Sequence, residues 1–156
     1  MGMERRTHIL IIHRDNTARR EIHNILSRFN FDITYADDGL QGLETAKYKK
    51  PDLIICQVNI AVVNGIEVGA TFHKNPLLKN VPLILLHDEL DLSVINKAKL
   101  LDVKAFLIKP YIDNSLIYAI KRALDEEQLE VNLNKAPASY EACKSQVLTG
   151  YRYHYA

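Results

Sequence analysis

Pro51-Asp-Leu-Ile-Ile-Cys-Gln57, running on through Val58 to Gly65, is the stretch that decides the fold. Leu53 to Cys56 is a short, unbroken apolar run behind a proline. It reads as a strand covered on both faces, as the centre of a parallel sheet requires. In an open α/β sheet the residue at the carboxyl end of such a strand faces the functional crevice. Here that residue is Gln57. Its amide can orient a ligand or hold a loop, but it cannot serve as a base, a nucleophile or an anchor for a hard metal.

Outward from this strand, the chain alternates. His8-Ile-Leu-Ile-Ile12 predicts a first buried strand. A helix follows, capped by Asn16 or Thr17, with Ile22, Ile25, Leu26 and Phe29 at helical spacing. Asp32 to Ala36 reads as a second strand, and Asp37-Asp38-Gly39 opens a helix with Leu40, Leu43 and Ala46 on one face. After the central strand, Asn64-Gly65 marks a turn, and Ile66 to His73 forms a helix that Asn75-Pro76 ends. Val81 to Leu86 is a fourth strand, Leu92 to Leu101 a helix, and Ala105 to Ile108 a fifth strand. Asp113 or Asn114 caps a last helix with Leu116, Ile120, Ala123 and Leu124 inward. Five strand–helix repeats mean a parallel sheet with helices on both faces and right-handed crossovers.

Composition narrows the class. The 156 residues are 47% hydrophobic and 25% charged with a formal net charge of +1, an ordinary globular balance that argues against nucleic acid as the main partner. Cys56 and Cys143 stand far apart, and Cys56 lies inside an apolar strand. Both read as reduced thiols in a cytoplasmic protein. Met1 to His8 is polar and basic with no long apolar segment behind it, so neither a signal peptide nor a membrane span is expected. The character of the chain changes after Glu130. Residues 1–130 form one expected domain and residues 131–156 a Tyr-rich extension, in which Pro137 forbids a continuous helix. Tyr151, Tyr153 and Tyr155 alternate with Arg152 and His154, a period of two that suits a strand or an extended recognition segment; a loose tail is the plain alternative.

The Pro51-Asp-Leu-Ile-Ile55 strand, the Asn64-Gly65 turn and Phe106-Leu-Ile-Lys-Pro110, with Ala98 and Val103 spaced ahead of Phe106, resemble the receiver domain of two-component response regulators. The resemblance runs from about His8 to Leu124. It implies an α/β, flavodoxin-like, doubly wound (βα)5 fold whose five-stranded parallel sheet has the order 2-1-3-4-5. It also implies an acidic pair after the first strand, a phosphoacceptor Asp after the third, a Thr or Ser after the fourth and a Lys after the fifth. This chain departs from that pattern. His13 and Arg14 stand at the acidic pair, Gln57 at the phosphoacceptor, and His87 at the Thr or Ser with Asp88 beside it. Ile60-Ala61 replaces a Met-Pro. Lys109 is kept, Phe106 matches the switch aromatic, and Asp15 matches an acid often found just after the pair.

Each departure removes a piece of chemistry. Magnesium wants oxygen ligands, and Arg14 sets a fixed positive charge where it would sit. An amide is too weak a nucleophile to accept a phosphoryl group. His13, His87, Asp15 and Asp88 could together approach a zinc ion, but no tight motif or cysteine partner backs this, and neither metal nor cofactor is expected. Lys109 is expected to pair with Asp15 or Asp88. The reading is a pseudo-receiver without catalytic residues or enzymatic activity, which acts by protein–protein contact. Its partners would use the face of the fourth helix, fifth strand and fifth helix, and the Tyr-rich tail as a second element, with a homodimer left open. Direct transcriptional control is not expected. The alternative is a basic pocket of His13, Arg14 and Lys109 that holds an anion or nucleotide.

Overall fold

The computed structural model describes residues 5–109, 113–124, 147–149 and 152–153. In chain order its elements are β1 (Thr7–Ile12), α1 (Asn16–Leu26), β2 (Phe31–Ala36), α2 (Gly39–Lys49), β3 (Leu53–Gln57), α3 (Gly65–Lys74), β4 (Leu83–His87), α4 (Leu92–Leu100), β5 (Ala105–Ile108), α5 (Asp113–Ala123), β6 (Val147–Thr149) and β7 (Arg152–Tyr153). The first five strands are parallel in the order β2-β1-β3-β4-β5, as expected.

Strand alternation builds the core directly. Leu10, Ile12, Ile54, Cys56, Leu85 and Phe106 point to one face and pack with Leu43, Ala46, Val68, Phe72, Ile95 and Ala98 of α2, α3 and α4. Ile9, Ile11, Leu53, Ile55, Ile84, Leu86 and Leu107 point to the other and meet Ile22, Ile25, Leu26, Leu116 and Ile120 of α1 and α5. Each such aliphatic side chain withdrawn from water contributes about 1.5–3 kcal/mol. The unbroken apolar runs are therefore a consequence of two covered faces, not of one.

Several boundaries differ from the sequence reading, each for a local reason. The α1 cap is Asp15, whose carboxylate accepts from the Thr17 N–H at 2.9 Å, so neither Asn16 nor Thr17 is the cap. The helix stops at Leu26, and Phe29 leaves it to pack on Phe31 with ring centroids 5.8 Å apart. Leu40 does not join Leu43 and Ala46 inside; it is 48% exposed, while Gly42 lies against Ile12. The fourth strand starts after Pro82, which offers only its carbonyl, to Ile54, and it runs on to take His87 into the ladder opposite Ile108. The parallel sheet is also extended. β6 lies antiparallel on β5 and β7 antiparallel on β6, so the sheet has seven strands where five were expected. Arg152 and Tyr153 of the alternating tail are strand; Tyr140, Cys143, Tyr151, His154 and Tyr155 lie outside the described residues.

Candidate functional site

The crevice lies where β1, β3, β4 and β5 end together, and each strand delivers one of the residues singled out in the sequence. β1 leads into His13, β3 ends on Gln57, β4 ends on His87 and β5 leads into Lys109. The β3–α3 turn closes tightly behind Gln57. The Gly65 N–H donates to the Val58 carbonyl at 2.9 Å, and a Cβ on Gly65 would stand 2.7 Å from the Gln57 carbonyl oxygen. Only glycine allows the first turn of α3 so close to the strand. Asn64 and Glu67 then form a reciprocal capping box.

His13 is fully buried, and its Nδ1 accepts from the Asp15 N–H at 3.1 Å. The ring proton therefore sits on Nε2, which is buried without a hydrogen-bond partner among the described residues. Burial first, and the Lys109 ammonium second, pull its pKa down to about 4. His13 is thus neutral at pH 7. His87 is also buried, with neither ring nitrogen partnered among the described residues, and its imidazole stands edge-on to the Phe106 ring at 5.9 Å. Gln57 is half-buried, and Arg14 is exposed. Lys109 pairs with Asp88 at 3.5 Å, the second of its two expected partners, while Asp15 is held as the α1 cap. With side chains 35% and 55% exposed, the Lys109–Asp88 pair is worth no more than about 1 kcal/mol.

Arg19, which the sequence reading passed over, ties this edge of the sheet together. Its guanidinium donates to the carbonyls of His13 and Ala36, the latter at 2.7 Å, and to the Asp37 carboxylate at 2.5 Å. It also lies 5.5 Å from the Tyr35 ring centroid. No local pattern marks such a residue, because its partners end two different strands.

The arrangement does not fit a hard divalent cation. The free lone pair of His13 is taken by the Asp15 N–H, while Asp15 and Asp88 each engage one carboxylate oxygen, on the helix cap and on Lys109. Among the described residues no three His, Cys, Asp or Glu side chains are grouped to hold a metal ion. With His13 neutral, the three basic groups proposed for an anion also reduce to two charges.

A doubly wound α/β sheet with its polar residues collected at the strand ends defines a flavodoxin-like protein whose working edge is this crevice. The response regulator receiver domain model matches residues 9–121, and the chain belongs to that family. It is 29% identical over 104 residues to chemotaxis protein CheY-3 of Vibrio cholerae, covering 66% of this chain and 80% of that protein. It is 24% identical over 110 residues to the two-component response regulator-like protein APRR5 of Arabidopsis thaliana; these cover 69% of this chain and only 20% of APRR5. Among solved structures, the signal receiver domain of an HD domain-containing protein from Pseudomonas fluorescens Pf-5 superposes with a TM-score of 0.73 at 26% identity, over 80% of this chain and 98% of that one. The chain is therefore a receiver domain of the two-component signalling class, a class that works through protein partners. Among the described residues no helix is long and apolar enough to cross a membrane.

Proposed function

We propose that this receiver is a pseudo-receiver: a cytoplasmic signalling adaptor that works by protein–protein contact, with no phosphoryl transfer at its crevice. The observation that carries the reading is the set of side chains at the strand ends. Buried His13, Gln57 and buried His87 stand where the family's chemistry asks for acids and a hydroxyl. A neutral imidazole and an amide neither gather magnesium nor attack phosphorus. The T-shaped contact of His87 with Phe106 supports a crevice fixed in one state, since the switch aromatic is buried behind a side chain bulkier than Thr or Ser. Phosphorylation in the family biases the face made by α4, β5 and α5 between two states. In this chain that face would be presented constitutively, or be governed by something other than phosphate. The net charge of +1 supports protein over nucleic acid as partner. Residues 1–130 would carry docking and residues 131–156 would modify it.

Incubation of the full chain with acetyl phosphate and magnesium, followed by intact-mass spectrometry, tests the reading. No phosphoryl adduct is expected. An adduct, placed by peptide mapping at another residue such as Asp15 or His87, would instead mark a surviving phosphorelay step.

A further inference from the structure

The edge of β5 carries one of the chain's own strands. Val147, Leu148 and Thr149 pair antiparallel with Leu107, Phe106 and Ala105, against the parallel direction of every other strand in the domain. β6 also packs against α5, so it covers two of the three elements of the proposed docking face. An edge strand left open is a template for another extended segment. Among the described residues the edge is filled in cis by Val147–Thr149, backed by Arg152–Tyr153. A ladder at the margin of a sheet opens at less cost than the strands at its centre.

We propose that β6 is a built-in cap on the β5 edge, and that an incoming extended segment must displace it to reach the face of α4, β5 and α5. This rests on the adaptor reading for its purpose, but the cap itself is a property of the sheet. The register opposes Leu148 to Phe106, whose ring meets His87. Release of the cap would therefore loosen the backbone directly under the switch aromatic. That links the tail to the crevice without any phosphate.

The probe is a fluorescent peptide of residues 145–153 added in trans to the full chain and to its Leu148→Pro variant. β6 lies between two strands, so proline at its centre removes a ladder hydrogen bond whichever neighbour it faces. Val147→Pro serves as a second variant against local misfolding. Saturable peptide binding at least tenfold tighter to the variants than to the unaltered chain is expected, with faster amide exchange confined to residues 105–107. Equal binding to all three proteins, or unchanged exchange in both variants, would overturn the cap. Neither readout involves phosphate, so failure here leaves the adaptor reading to its own labelling test.

Discussion

At His13 the first strand drives an imidazole into the buried interior, near an ammonium, and the ring answers by staying neutral. Its pKa is lowered to about 4, first by burial and second by Lys109, against an ordinary value of 6.5. The unfolded chain therefore takes up a proton between pH 6.5 and about 4 that the folded chain refuses. Stability rises with pH wherever the unfolded state binds more protons, so the fold loses stability as pH falls through that window, by about 1.4 kcal/mol per pH unit. Lys109→Met removes the second cause. The His13 midpoint should then move up and the low-pH loss should shrink, as followed by proton NMR titration of the ring and by urea unfolding at pH 5 and 7. An unchanged midpoint would separate the two groups. That His13 occupies the crevice was legible from its place after an apolar run. Its tautomer was not, because that depends on the backbone N–H of Asp15 turning back on the ring.

At the level of elements, helices announced themselves better than the loops joining them. Asp38, Asn64 and Asp91 cap α2, α3 and α4 with side-chain oxygens, the short polar residues that compete for orphan backbone N–H groups. The β3–α3 loop shows what a linear reading leaves out. Val62 sits at φ 70 in it, a left-handed conformation that a β-branched side chain adopts only under strain. It is also 72% exposed, so little burial offsets the cost. Val62→Asn keeps a side chain suited to that region, and should raise stability by roughly 1 kcal/mol, seen as a higher urea midpoint at constant slope. A fall would mean that Val62 makes contacts in solution that its exposure denies. The β6 pairing was equally hidden. The alternation at 151–155 pointed to the stretch that holds β7, not to Val147–Thr149, and which edge a short strand joins is a non-local fact.

For the whole molecule, the proposed pseudo-receiver would have its missing chemistry spread over the crevice and not lodged in one side chain. Four of the five parallel strands were readable as apolar runs, and β2 by its β-branched residues; the runs of β1, β3, β4 and β5 end at one edge, and so the crevice members could be named. The Lys109–Asp88 pair is one of the two the sequence offered; what could not be read is that Asp15 caps a helix and that the His13 lone pair takes a backbone amide. These commitments predict the behaviour of the simplest repair. Gln57→Asp restores a carboxylate at the end of β3, yet the buried imidazoles of His13 and His87 still flank it, and Arg14 remains beside β1. A nucleophile without acidic neighbours to gather its cation gains little, since positioning and charge neutralisation supply most of phosphoryl-transfer catalysis. The single variant should therefore stay unlabelled by acetyl phosphate. The combination Gln57→Asp, His13→Asp, Arg14→Asp and His87→Thr should take up label, in a magnesium-dependent way. If Gln57→Asp alone were phosphorylated, the remaining crevice would be competent after all, and the loss would belong to a single residue.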